Sequence, residues 1–161
     1  MFQRKKFELK NITRKLVNFD FGNLEIIKSK YDALHFENAN GGDIYIYPAF
    51  VIVVDNLKKF GLIEIRELNF KYGSQRFLEE QEIPLDSKVV DYTWAKVNKN
   101  GSPDKRFKGN YKIPVCLYGE IEMTSKTGLN EAYSLSSNIK TQEFGNSFNR
   151  YKELLGGEIN Q

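Results

Sequence analysis

Nucleophilic catalysis in this chain would depend on one histidine and one cysteine. His35 lies in a predicted strand, and Cys116 lies in the apolar run 114–118. A nucleophile needs a base within hydrogen-bonding reach, and we interpret His35 as a structural imidazole and Cys116 as a small buried hydrophobic residue. The glycine pair 41–42 precedes a strand, whereas a nucleotide-binding glycine loop opens a helix. The sequence therefore predicts no catalytic residue and no cofactor.

Three acidic residues have a spacing that could hold a metal ion. Asp104 follows Pro103, and Glu120 and Glu122 come 16 and 18 positions after it. Carboxylates in this order can hold magnesium at a scissile phosphate, as in restriction-type nucleases. That pattern also requires a lysine where this chain has Glu122, and alternate residues of a strand share one face. We therefore interpret the two glutamates as a solvated strand face and expect no metal site.

The segment 96–112 contains six basic residues and one acid, and residues 98–110 are dense in turn formers, which predicts a long loop. Cations beside aromatic rings suit phosphodiesters and anionic lipid headgroups. The candidate ligand-binding residues are Trp94, Lys96, Lys99, Lys105, Arg106, Phe107, Lys108 and Tyr111. In the alternative interpretation this is a solvated loop in which Asp104 and Arg106 pair with one another or with the backbone, and Phe107 is pinned into the barrel.

The N-terminal segment 1–20 is a basic arm before the main domain, which we place at 21–161. Residues 1–19 contain six basic residues against Glu8 alone, so the rest of the chain is close to neutral. Apolar residues recur at helical spacing in this arm, which predicts a short amphipathic basic helix. They are Leu9, Ile12, Leu16 and Phe19.

The main domain is predicted to be mainly β, an α+β chain of about seven antiparallel strands. Runs at 44–47 and 50–54 flank a break at Pro48, and the run 60–68 alternates apolar and charged residues. The period then changes to that of a helix over 140–155, with one apolar stripe. Strands followed by one apolar-faced helix predict a β-sandwich or partly open barrel that the helix caps.

The order of elements resembles bacterial pleckstrin-homology-like (PH-like) domains, small seven-stranded barrels capped by a C-terminal helix. The resemblance covers about residues 24–155 and lies in the segments 43–47, 50–53, 63–65 and 144–155. The segments 97–107 and 113–115 also look like part of an uncharacterised bacterial family. The first resemblance implies a PH-like barrel, and neither implies an activity.

Composition excludes several classes of protein. The single cysteine excludes an internal disulfide, and the longest apolar run, 49–54, is too short to cross a bilayer. Polar residues interrupt the N-terminus before an apolar signal region forms, so we expect a cytoplasmic protein. The expected function is a non-enzymatic interaction or adaptor module that binds a protein or an anionic ligand. The alternative is a nucleic-acid-binding or nucleic-acid-processing domain that uses residues 96–112, and the oligomeric state stays open.

Overall fold

The computed structural model describes residues 2–3, 15–55 and 59–157, and these form two antiparallel sheets and one helix. The first sheet, the meander sheet, contains β3 (Phe19–Gly22), β4 (Ala33–Phe36), β5 (Asp43–Ile46), β6 (Phe50–Val54) and β7 (Phe60–Glu64). The second, the β10 sheet, contains β1 (Phe2–Gln3), β2 (Lys15–Leu16), β8 (Asn69–Leu78), β9 (Lys88–Trp94), β10 (Lys112–Thr124) and β11 (Asn130–Leu135). The helix is α1 (Asn138–Gly157).

The long strand β10 organises its sheet. Residues 115–124 of β10 pair with β8 along one edge. Along the opposite edge, residues 112–117 pair with β9 and residues 119–124 pair with β11. The register with β9 shifts by one residue between Val115 and Cys116. Two strands therefore follow one another along the same edge of β10.

The hydrophobic core lies between the two sheets. The meander sheet contributes Phe36, Ile44 and Val51, and the β10 sheet contributes Ile121 and Tyr133, all of them fully buried. Burying an apolar side chain of this size contributes about 1.5–3 kcal/mol. Alternate residues of each strand supply this face, as expected for period-two side-chain placement.

The connection between β3 and β4, residues 23–32, covers the outer face of the meander sheet. Leu24 and Ile27 pack against a small cluster that contains Tyr47 and Ile52. The Leu24 amide donates a hydrogen bond to the Tyr47 hydroxyl oxygen at 3.1 Å. The meander sheet therefore has apolar contacts on both faces.

Helix α1 begins after Ser137, whose side-chain oxygen lies 3.4 Å from the amide of Lys140 as an N-cap. The helix packs against β8 and β10 and places its aromatic stripe at the core. The Phe148 ring lies 4.4 Å from that of Phe70, centroid to centroid, and the Phe144 ring contacts Phe36 at 6.5 Å. The stripe therefore joins the helix to both sheets.

Two glycines allow the helix to approach the β10 sheet closely. A Cβ atom on Gly119 of β10 would overlap the side chain of Thr141 in the helix. A Cβ atom on Gly145 of the helix would overlap the ring of Tyr72 in β8. Real Cβ atoms cannot occupy these positions, so the spacing between helix and sheet requires glycine at both sites.

The structure confirms a mainly β chain with antiparallel sheets and one C-terminal helix, which extends slightly beyond the predicted 140–155. The described residues contain eleven strands rather than about seven, and neither sheet closes on itself. The predicted N-terminal helix is wrong at Leu16 and Phe19, which lie in β2 and β3. The Phe19 ring packs on Phe36 at 4.4 Å, so tertiary contacts override the helical spacing.

Leu9 and Ile12, the remaining residues of that predicted helix, lie outside the described residues. The predicted boundary after residue 20 falls within β3, and Val17 belongs to the main core cluster. The described part of the N-terminal segment is therefore integrated into the two sheets through strand pairing and core packing.

Replacing Phe148 with Ala is expected to lower the free energy of unfolding by about 3–5 kcal/mol, because the ring is buried against Phe70. Chemical denaturation measures the change. Leu154→Ala is the control on the same helix, since Leu154 is 65% exposed and should change stability by no more than about 0.5 kcal/mol. A loss of less than about 1 kcal/mol for Phe148→Ala would show that the helix does not cap the core.

Replacing Gly119 with Ala should destabilise the fold by about 1–3 kcal/mol, because the added methyl group would overlap Thr141. Gly73→Ala is the matched control. Gly73 lies in the neighbouring strand β8, and a Cβ atom there meets nothing within 4 Å. The control should be neutral or slightly stabilising in thermal denaturation. Equal melting temperatures for the two variants would contradict the close approach of helix and sheet.

Candidate functional site

The connection between β9 and β10, residues 95–111, is an ordered loop with its own hydrogen-bond pattern. The Ala95 amide donates to the Tyr111 carbonyl at 2.8 Å, which continues the strand pairing into the base of the loop. Further out, the Asp104 amide donates to the Lys96 carbonyl at 3.0 Å. The loop is therefore anchored to the sheet by backbone hydrogen bonds.

Two asparagine side chains hold the loop together. Asn110 accepts a hydrogen bond from the Lys96 amide at 3.0 Å and donates one to the Lys96 carbonyl at 2.8 Å. Asn98 donates to the Ser102 hydroxyl at 3.0 Å and to the Pro103 carbonyl at 3.2 Å. Each asparagine thus replaces backbone pairing where the chain turns.

Two glycines in the left-handed region make the sharp turns of the loop. Gly101 has φ of 80° and Gly109 has φ of 86°, values that L-residues with a Cβ atom rarely adopt. Lys99 lies in the first of these turns, and Lys108 directly precedes the second glycine. Both lysines are exposed, and the neighbouring turns fix the conformation of their backbone.

Asp104 and Arg106 form an ion pair inside the loop. The Arg106 Nη2 and Nε atoms lie 2.6 and 3.2 Å from Oδ2 of Asp104, and the Arg106 amide donates to Oδ1 at 3.0 Å. These hydrogen bonds from Arg106, first from its side chain and then from its backbone, hold the pKa of Asp104 below its ordinary value. The same side-chain bond raises the pKa of Arg106. Asp104 is buried, whereas the Arg106 side chain is 83% exposed.

Two further lysines lie over aromatic rings. Lys96 Nζ is 5.9 Å from the centroid of the Phe107 ring, and Lys112 Nζ is 5.6 Å from that of Trp94. A cation at this distance is attracted to the ring face. One face of each ring is therefore occupied by a lysine of the same loop region.

The remaining three lysines of the loop, Lys99, Lys105 and Lys108, are exposed. Within the described part of the chain, none of them forms a salt bridge with an acid. The exposed rings of Phe107 and Tyr111 lie in the same segment, at 49% and 59% exposure. The loop thus presents unpaired positive charge on a fixed backbone.

The structure does not assemble the acidic residues into a metal centre. Asp104 is paired with Arg106 in the loop, whereas Glu120 and Glu122 lie on β10. Among residues 15–55 and 59–157, no group of three or more histidine, cysteine or acidic residues is arranged to hold a metal ion. The nuclease-type constellation is therefore not brought together in these residues.

His35 and Cys116 also lie apart from the loop. His35 Nδ1 is 2.9 Å from Oδ1 of Asp20, and the imidazole stacks on the Tyr45 ring at 4.5 Å. Cys116 is fully buried beside Tyr118, in a small cluster of the β10 sheet. The two residues therefore lie on different sheets, and each packs against an aromatic side chain of its own sheet.

The eight predicted site residues lie in the loop or at the strand ends that carry it, and the structure divides them into groups. Lys96 and Arg106 are engaged within the loop, whereas Lys99, Lys105 and Lys108 are free to meet a partner. The alternative interpretation was right about the pairing of Asp104 with Arg106. It was wrong about Phe107, which is half-exposed.

Sequence reasoning missed Asn98 and Asn110, which determine the shape of the loop. Their only signal is an asparagine near each end of a turn-rich segment, where such side chains often bond to backbone.

No protein-family model matches the chain, and no curated protein or solved structure was found to be similar to it. In the described part of the chain, no helix has the length and apolar character needed to span a bilayer.

We expect Asp104 to titrate below its ordinary pKa of 3.8, because Arg106 stabilises the carboxylate. A lowered pKa means that the ionised carboxylate stabilises the loop above the ordinary value, and this contribution is lost as the pH falls through the lowered pKa. Arg106→Gln should return the pKa of Asp104 towards 3.8 in an NMR titration of its carboxyl carbon. Lys105→Gln, which removes a neighbouring charge without touching these hydrogen bonds, should leave it unchanged. An ordinary or raised pKa in the unaltered protein would contradict the pairing.

Proposed function

We propose that this protein is a non-enzymatic interaction module that binds an acidic surface of another protein through Lys99, Lys105 and Lys108. The observation that carries the proposal is the fixed loop on which these three lysines are exposed and unpaired with any described acid. A connection needs turn formers, but it does not need three free cations. An acidic partner would relieve their mutual repulsion.

The order of the loop supports binding by a preformed surface. The Asn98 and Asn110 side chains and the Asp104–Arg106 pair hold its backbone in one conformation. A partner then meets cations that are already positioned, so less conformational entropy is lost on binding. Long ordered loops on a rigid scaffold are common binding sites.

The aromatic residues favour an acidic protein surface over a nucleic acid. Base stacking needs an open ring face, and Lys96 covers one face of Phe107 while Lys112 covers one face of Trp94. Less ring area is left for bases than the sequence suggested. The lysines that cover the rings add to the positive charge that an acidic surface would meet.

We further propose a PH-like domain that acts in the bacterial cytoplasm. The support is the order of the elements, antiparallel strands followed by one C-terminal helix that packs on the core. Because its two facing sheets stay open, such a domain would be a flattened form of the closed PH-like barrel.

Binding to poly-L-glutamate, an oligo-dT strand and a short DNA duplex tests the proposed function. We expect poly-L-glutamate to bind most tightly at low salt and to dissociate as salt is added. Lys99→Glu, Lys105→Glu and Lys108→Glu together should weaken this binding about tenfold or more, on the basis of typical exposed ion pairs. The melting temperature should change little, because exposed charges contribute little to folding.

The matched control is the triple replacement of Lys28, Lys126 and Lys140 with Glu, which changes the net charge equally on other exposed surfaces. It should weaken binding far less than the loop triple. Equal effects of the two triples would show that net charge alone drives binding and would refute a role for the loop. Tighter binding of oligo-dT, lost in the loop triple, would support a nucleic-acid-binding module instead.

A further inference from the structure

A groove of about 550 Å³ lies between helix α1 and the meander sheet, and its lining contains no residue of the loop 95–111. Ile46, Tyr47 and Phe148 of its lining are almost fully buried, and Leu34 and Phe144 also line it. This volume is within the range of small-molecule sites, which are commonly lined by apolar and aromatic side chains. The groove therefore has the size and lining of a ligand site.

Two of the three tyrosines that line the groove, Tyr47 and Tyr151, have their hydroxyl groups engaged by backbone. The Tyr151 hydroxyl donates to the Pro48 carbonyl, and the Tyr47 hydroxyl accepts from the Leu24 amide. Burial raises the pKa of Tyr151, so this hydroxyl stays neutral at physiological pH. With these hydroxyl groups engaged by backbone, the two rings extend the apolar lining.

The rim carries one formal charge. Asp32 is the one residue with a formal charge at neutral pH among the described residues that line the groove. It is exposed, and one of its carboxylate oxygens accepts a hydrogen bond from Asn23. Beside it on the rim lies Tyr31, whose side chain is 66% exposed. An apolar interior beside a carboxylate and open ring faces suits a cation, because aromatic faces attract positive charge.

We propose that this groove binds a small molecule with an apolar alkyl or aromatic body and a protonated amine. The body lies against Leu34, Phe144 and Phe148, and the ammonium group lies at the rim beside Asp32. Charge complementarity selects this ligand class over an apolar acid, which Asp32 would repel. The proposal does not rest on the loop, and it holds whether or not the loop binds an acidic protein.

Phenylbutylamine, phenylbutanol and phenylbutyrate test it, because they share one apolar body and differ in the charge of the end group. Binding is followed through backbone amide shifts in ¹⁵N NMR. The amine should bind about two- to fivefold more tightly than the alcohol at low salt, the effect expected of one exposed ion pair. The acid should bind most weakly, and the shifts should cluster at the groove residues around Ile46 and Phe148.

Two pairs of variants separate charge from shape. Asp32→Asn should bring the affinity of the amine down to that of the alcohol, whereas Glu25→Gln, in the same connection but outside the groove, should not. Ser147→Trp places a large side chain in the groove from an exposed helical position and should abolish binding of all three compounds. Lys140→Trp, exposed on the same helix outside the groove, should leave binding intact.

Several outcomes would overturn the proposal: no binding of any compound at millimolar concentration, equal binding of amine and acid, or shifts away from the groove. Retained binding in Ser147→Trp would also overturn it, since the compound would then occupy another site. Both helix variants should keep the melting temperature of the unaltered protein, because both positions are exposed.

Discussion

The close packing of helix α1 against the β10 sheet sets the arrangement of the whole molecule. Gly119 and Gly145 remove the side chains that would otherwise hold helix and sheet apart, so the Thr141 side chain and the Tyr72 ring lie directly against backbone. At that distance the Phe144 and Phe148 rings pack in the core, where Phe148 contacts Phe70 of the β10 sheet and Phe144 contacts Phe36 of the meander sheet. The same helix also joins the meander sheet through the Tyr151 hydroxyl and the Pro48 carbonyl. The distance between the sheets, and with it the groove, follows from this packing.

Strand β10 connects this packed region to the loop and holds the base of the loop in place. Ile121 and Met123, near its C-terminal end, take part in the core, and its first residues pair with β9, so the loop 95–111 leaves two hydrogen-bonded strands rather than a flexible chain end. The shifted register at Val115 and Cys116 inserts one extra residue in β9, and such bulges bend a strand and increase its twist. The direction in which the loop projects is therefore set by the sheet.

The parts of the structure that depend on local periodicity were predictable. The helical stripe of Phe144 and Phe148 and the strand alternation around Ile63 appear where the sequence indicates. Leu16 and Phe19 have helical spacing as well, but pairing with β1 and packing on Phe36 determine their conformation, and these contacts are distant in sequence. The lysines of the loop were visible from composition. Which of these lysines are paired and which are free depends on distances between side chains, and the composition gives no information about those distances.

The groove was not predictable, because its residues come from the connection 23–32, the meander sheet and helix α1, with no common motif. It also lies far from the loop. The loop joins β10 at Lys112, whereas Phe148 packs on Phe70, which pairs with Met123 near the other end of β10. At about 3.3 Å per residue, the length of strand between these ends is roughly 35 Å. Since charges in physiological salt are screened over about 8 Å, the positive loop does not oppose a cation in the groove. The two proposed binding surfaces, one for an acidic partner and one for a cation, can therefore operate independently on one domain.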